Sequence, residues 1–341
     1  MASSLFKESK RNFHNDDPKI KIVGVGGAGT NIIDFLYSEK IKAELISINT
    51  DWKQLSLKKA DKKLLIGFKE NKGYSTGGDI SKGKQAAKEN IKEIREILKD
   101  TEMIIFVGAL GKGTCSGALP TIAREAKKQG ALVVSFLAVP FFLRSSNIDK
   151  TEYSLSRLKE DVDTLILVDN NKLTQLDKNI SLLNALNIVD KMILTSINAL
   201  ISLIREQEII EVNFSSLKNV LSNKGLGIIG ISQVDNSENI DKLVNESIGN
   251  NLSFIDPEKS KHALVQIIGG PNLNLKTLKN VTDKIQNYMT SDYNVTISAK
   301  IDKKLEDDIK AVIILTGISH DNLNLRKEII KLDDHLDVIQ V

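Results

Sequence analysis

The chain has 341 residues, 41% of them hydrophobic and 27% charged, an ordinary globular composition with room for about two domains that excludes a disordered, fibrous or peptide-scale protein. Its 47 Lys and Arg nearly balance 44 Asp and Glu, so the net charge of +3 leaves no electrostatic footprint for nucleic acid or an anionic membrane. A lone Cys115 cannot form an internal disulfide and, with four scattered histidines, cannot build a usual zinc site; a reducing cytoplasm without a resident metal centre is expected.

Residues 1–18 are polar, lack a signal-peptide core and read as an N-terminal arm. Residues 19–25 read as a strand that stops at a glycine cluster and is followed by an amphipathic helix at 31–37. Apolar runs at 44–48, 103–107, 132–138 and 164–168 then alternate with helical segments at about 84–99, 117–129 and 150–161. That alternation predicts an α/β domain, 19–180, with a Rossmann-like parallel sheet covered on both faces. The longest apolar stretch, 131–143, is too short to span a bilayer, so no membrane insertion is expected. From Leu182, apolar residues at 182, 186, 189, 193, 197, 200, 201 and 204 keep the spacing of one long helix, 181–205, bridging two domains. Strands at about 226–232, 263–268, 293–299 and 310–316 and one clear helix at about 274–288 predict a smaller α+β domain, 206–320, with its sheet covered on one side. A charged tail, 321–341, ends in the apolar cluster Leu336-Asp337-Val338-Ile339.

Gly24-Val25-Gly26-Gly27-Ala28-Gly29 lies between strand and helix, where glycines admit phosphates to the backbone and a helix N-terminus favours negative charge. By itself it fits a ligand-free tight turn or, with Asp51 at the spacing of a ribose-binding acid, an NAD-dependent oxidoreductase. A second cluster, from Gly108 through Gly111-Lys112-Gly113-Thr114-Cys115-Ser116-Gly117, follows another strand, and one dinucleotide does not need both. Lys112 is no Walker lysine, because Gly113 stands where Ser or Thr is required. A third loop, with Thr76, Gly77 and Gly78 ahead of Asp79, is placed to close over distal phosphates. Three such loops at strand C-termini suit a nucleoside triphosphate.

The ordered series Gly26-Gly27-Ala28-Gly29-Thr30-Asn31, Asn49-Thr50-Asp51, Lys72-Gly73, Gly111-x-Gly113-Thr114-x-Ser116-Gly117-Ala118-x-Pro120, Asn170-x-Lys172-Leu173, Ser181-Leu182-Leu183 and Ser222-Asn223-Lys224-Gly225 resembles FtsZ, the prokaryotic relative of tubulin, from Lys19 to about Ser319. The resemblance implies a GTP- or GDP-binding domain, with room for Mg2+ beside the phosphates, a central helix and a C-terminal domain. It also implies cytoplasmic head-to-tail filaments of a cell-division type, in which a loop of one subunit completes the site of the next. Asp190 aligns with the acid that accepts from guanine, Asn170 with its partner and Leu186 with a stacking Phe. The tail end, 336–341, resembles an adaptor-docking peptide, although packing on its own domain explains it equally well.

The chain departs from the family's pattern in three places. The catalytic loop Asn-x-Asp-Phe-x-Asp becomes Glu211-Val212-Asn213-Phe214-Ser215-Ser216, so Asn213 and Ser216 replace both acids and hydrolysis is expected to be weak or lost. Glu211 stands as the alternative acid. Lys112 and Cys115 replace two glycines of the signature loop, where a Cβ is expected to twist or narrow it, and Lys112 either pairs with a phosphate or faces solvent. The ribose loop becomes Pro140-Phe141-Phe142-Leu143-Arg144, with Arg144 for the family's Glu and Ile148 or Asn147 for its later Arg.

Overall fold

The structure is a computed structural model that describes residues 18–139, 145–170, 181–205, 209–210, 212–235, 239–249, 253, 255–289 and 293–323. Of the expected arm 1–18 and tail 321–341, residues 1–17 and 324–341 lie outside the described residues. The first half alternates β1 (Ile20–Val25), α1 (Gly26–Ser38), β2 (Glu44–Asn49), α2 (Trp52–Leu57), β3 (Lys62–Leu65), α3 (Phe68–Asn71), α4 (Ile80–Glu89), α5 (Ile91–Leu98), β4 (Met103–Ala109), α6 (Gly113–Lys128), β5 (Leu132–Val139), α7 (Ser145–Leu158) and β6 (Thr164–Asp169). The central helix α8 (Leu182–Arg205) follows, then α9 (Phe214–Leu221), β7 (Gly225–Val234), α10 (Ile240–Gly249), β8 (His262–Gly269), α11 (Leu275–Tyr288), β9 (Asn294–Ile301) and β10 (Ile309–Ile318).

Instead of two separate sheets, the strands form one, ordered β3-β2-β1-β4-β5-β6-β7-β10-β8-β9. The pairs from β3 through β7 are parallel, whereas β10 runs antiparallel to both β7 and β8. The halves meet at a short β6–β7 seam of three register pairs, Thr164 to Gly225, Leu165 to Leu226 and Ile166 to Gly227. A Cβ on Gly227 would come 2.9 Å from Thr164 Cγ2, so glycine lets the two strands close.

Successive strand residues point to opposite faces, and the core divides accordingly. Val23 and Val25 of β1 join one cluster with Phe106, Ala118, Leu119 and, further along the sheet, Leu243, Val281 and Ile285. Ile20 and Ile22 join the other with Ile32, Ile33 and Leu36 of α1. Val189, Ile193, Ile197 and Ile201 of α8 and Leu217 and Leu221 of α9 belong to this second cluster, together with Leu264 and Ile314. The C-terminal sheet is thus covered on both sides, not one: α10 and α11 take one face, and α8 with α9 takes the other. Residues 187–205 are long and apolar enough to cross a membrane by length and composition. Their apolar stripe instead packs across both halves of the sheet.

The single helix expected at 84–99 is two. Asn90 breaks it at φ −107°, ψ 30°, and its Oδ1 accepts from Gly67 N at 2.8 Å, a competing local bond of the kind that makes Asn a poor helix-interior residue. Pro120 inside α6 has no N–H for Ser116 O. Ser154 Oγ of α7 donates to that carbonyl at 3.0 Å and fastens α7 to the first turns of α6.

Candidate functional site

The strand order reverses between β1 and β4, the topological switch point at which α/β folds open a crevice beyond the strand C-termini. Both helices that start there begin in glycine. α1 starts at Gly26 (φ 75°) and α6 at Gly113, two residues after Gly111 (φ 78°). The two starts converge, since a Cβ on Gly26 would lie 3.3 Å from Cys115 N and 3.4 Å from Thr114 Cβ. Neither helix has a side-chain cap or an acid in its first turn. By contrast Asp51, Asp79, Asn213 and Asn274 cap α2, α4, α9 and α11. The uncapped pair keeps its orphan N–H groups and positive dipole ends directed at one crevice, an arrangement suited to phosphate. Gly27 and Ala28 are partly open to it and Asn31 is exposed, whereas Thr30 is buried and donates to Gly27 O at 2.9 Å.

The second and third loops join the same corner. Thr50 Oγ1 and Thr114 Oγ1 are 3.0 Å apart, and Thr76 Oγ1 approaches Thr114 Oγ1 at 3.5 Å, all three side chains buried. A Cβ on Gly113 would meet Thr76 Oγ1 at 2.3 Å and the Asp79 carbonyl oxygen at 2.6 Å, so only glycine lets loop 76–79 seat on the α6 start. Gly77 and Gly78 both take the left-handed conformation, φ 61° and 84°, and a Cβ on Gly77 would meet nothing within 4 Å. Asp51 is held at the mouth as the cap of α2, accepting from Gln54 N at 3.0 Å, and Asn49 Nδ2 donates to Gln54 Oε1 at 3.3 Å.

The two side chains that replace signature glycines leave the loop intact. Lys112 sits at φ −113°, ψ 159°, extended backbone that any residue adopts, and is exposed. Cys115 lies within α6 and is buried, its Sγ occupying the place a Cβ on Gly108 would need, 2.6 Å away. Burial pushes its thiol up to about 12, so it packs as a small apolar residue and is not a nucleophile. The positive φ that only glycine bears cheaply is confined to Gly111, which the chain retains.

At the end of β6, Asn170 is buried and among the described residues its Oδ1 has no hydrogen-bond partner, as is also true of Ser116 Oγ. A buried acceptor left unpaired costs about 1–3 kcal/mol, so these atoms fit a ligand that brings donors. Asp190 on α8 is half-buried, and that burial holds its carboxyl above the usual carboxylate range. Leu186 falls within α8, with its side chain outside the described residues. Pro140, Arg144 and Glu211 lie outside them altogether.

Asn213 and Ser216 are not brought to this crevice. Asn213 caps α9, its Oδ1 accepting from Ser216 N at 2.8 Å. Next to them Phe214 and Lys218 line a cleft with Lys19, Thr101, Glu102 and Gln129, at the N-terminal ends of β1, β4 and β5. The seven residues of β4 separate the two ends by roughly 20 Å at ~3.3 Å per residue. Among the described residues no group of three His, Cys, Asp or Glu could hold a metal ion.

Sequence reasoning missed Thr50, although it stands inside the quoted Asn49-Thr50-Asp51, and Gln54, whose Oε1 would lie 2.8 Å from a Cβ on Gly27. Nothing in the spacing marks Gln54. It reaches Gly27 only because Asp51 starts a helix there.

Residues 19–178 match the Tubulin/FtsZ family GTPase domain and residues 225–319 the FtsZ family C-terminal domain. The cell division protein FtsZ 1 of Methanocaldococcus jannaschii is 33% identical over 314 residues, covering 92% of this chain and 86% of that one. FtsZ 2 of Halobacterium salinarum is 30% identical, covering 89% and 77%. The structure of an empty FtsZ dimer from M. jannaschii superposes with a TM-score of 0.81 at 33% identity over 88% of each chain. A GTPγS-bound protofilament of CetZ2 from Haloferax volcanii shares the fold at 19% identity, with a TM-score of 0.78 over 94% of this chain and 98% of that one. Both halves of the chain thus match one family, and the chain belongs to the tubulin/FtsZ family as an FtsZ-type member.

Proposed function

We propose that this chain binds GTP and GDP in the switch-point crevice and assembles head to tail into cytoplasmic filaments of a cell-division type, with weak hydrolysis. The observation that carries the nucleotide reading is the convergence of two uncapped glycine-led helices, α1 and α6, so close that a Cβ on Gly26 would lie 3.3 Å from Cys115 N. A dinucleotide oxidoreductase needs one such helix and leaves the second without a role. Phosphates would take the amides of Gly27, Ala28 and the α6 start, and the guanine would take the unpaired Asn170 and Asp190. Mg2+ would enter with the phosphates, whose oxygens would supply ligands where no cluster of three His, Cys, Asp or Glu stands among the described residues.

The separation of Asn213 and Ser216 from the crevice supports assembly. A loop at one end of the sheet and a nucleotide at the other meet only between copies, and a heterologous contact of that kind extends into a filament without closing. Asn213 and Ser216 cannot act as carboxylate bases, which supports slow turnover. The apolar end 336–341, outside the described residues, suits an adaptor protein.

Two measurements on one preparation test the reading: identification of the base released on denaturation, and light scattering after GTP addition. Guanine with a sustained rise in scattering is expected. Absence of guanine nucleotide with no GTP heat by calorimetry defeats the binding proposal, and scattering that rises and decays as GTP is consumed defeats slow turnover.

A further inference from the structure

The family's basic residue in the ribose loop is replaced here by Asn147 or Ile148, neither of which carries a charge. Lys150 stands three residues beyond position 147 within α7, and residues three apart share a helix face. Ser154 of the same helix, one turn on, has its Oγ 3.0 Å from the freed Ser116 carbonyl oxygen and 2.9 Å from Lys150 O, so this part of α7 sits against the first turns of α6.

From that position the Lys150 ammonium approaches the third loop. A Cβ on Gly78 would find Lys150 Nζ at 3.6 Å and no other atom of the described residues within 4 Å. Gly77 is open on the same criterion, and both glycines hold left-handed backbone that keeps this loop free of side chains. The nearby acid, Asp79, already accepts from Ser81 N and Lys82 N. Among the described residues Lys150 Nζ stands beside Gly78 but is in no hydrogen bond or ion pair. On its other flank the loop is seated by Thr76 on Gly113 and Thr114, at the positive end of α6.

We propose that Lys150 is the specificity-determining cation for the terminal phosphate of the nucleotide, a replacement carried on α7 for the basic group lost from the ribose loop. The inference rests on the reading that the crevice binds guanine nucleotide. The amides of α1 and α6 are available to a diphosphate and a triphosphate alike. A lysine beside the 77–78 loop, which Thr76 seats on the α6 start, would discriminate between them if the third phosphate adds its charge on that side of the crevice.

Calorimetric titration of the full chain with GTP and with GDP tests this on wild type, Lys150→Ala and Lys150→Arg, with Lys112→Ala as the comparison for the exposed lysine at the α6 start. Lys150→Ala should weaken GTP by about tenfold or more, the size of a lost charge-assisted hydrogen bond, and leave GDP within about twofold. Lys150→Arg should keep the preference, and the nucleotide-free melting temperature should not move. Lys150→Ala that binds both nucleotides as wild type does, or loses both equally, overturns the inference and leaves the nucleotide reading standing. A wild-type chain that takes up neither nucleotide overturns that reading and the inference with it.

Discussion

Replacing Asn213 and Ser216 together by aspartate separates a missing base from a defective assembly. Asn213 is the N-cap of the eight-residue α9 and Ser216 its third residue, with Asn213 Oδ1 accepting from Ser216 N at 2.8 Å. Aspartate ranks with asparagine as a cap and presents the same acceptor. The first turn of α9 contains no acid, so each new carboxylate meets an uncompensated positive helix end, worth about 0.3–1 kcal/mol at low salt. The double variant should therefore melt at or above the wild-type temperature, whereas Asn213→Ala should cost about 0.5–2 kcal/mol. An aligned general base contributes about 10²–10⁴-fold, or about 3–5 kcal/mol of barrier, so phosphate release should rise by that order once subunits meet. The assay is phosphate release against protein concentration, with light scattering on the same samples. Trans-subunit chemistry rises more steeply than first order in protein. A stable double variant that assembles with GTP yet hydrolyses no faster than wild type would refute the reasoning. So would vigorous wild-type turnover that survives Glu211→Ala, since it would require a base other than the three residues named.

Asp190→Asn has opposite effects on the fold and the ligand. Burial raises the folded carboxyl's pKa, so the native state holds its proton more tightly than the unfolded chain, and this site adds stability as pH falls through the raised value and none above it. At neutral pH the Asn variant should melt higher while guanine nucleotide affinity falls by about 1–3 kcal/mol; wild-type affinity should also fall on acidification earlier than an ordinary carboxylate would allow, and pH-independent calorimetry would contradict both. The Cys115 thiol, buried and pushed up to about 12, should not react with a thiol-specific disulfide reagent at pH 8 until denaturant is added, and then one thiol per chain should titrate. Rapid reaction of the native chain would show that α6 opens.

Much of this molecule is legible along the chain because its signals are local. Alternation of apolar runs with glycine-led helices marks the first-half strands, and the spacing from Leu182 onward marks α8, observed over Leu182–Arg205. The glycine clusters mark where β1 and β4 end, since positive φ at Gly26 and Gly111 is a property of residue type. The break at Asn90 is not local: it depends on Gly67 N, twenty-three residues away. The helices α9 and α10 were missed because each is short and its apolar face is completed by strands distant in sequence, Leu217 against Leu264 and Leu243 with Val265.

The sequence by itself determined which residue types face a phosphate and which acids are absent from 213 and 216. Only the tertiary structure decided that these two sets lie at opposite ends of one continuous sheet, that Lys112 and Cys115 leave the signature loop undistorted, and that the Lys150 ammonium stands beside Gly78. Residue chemistry and short-range periodicity are carried by the chain itself. Distance between elements is set by which apolar faces pack together, and here a proline that frees one carbonyl and a serine that answers it hold α7 against α6.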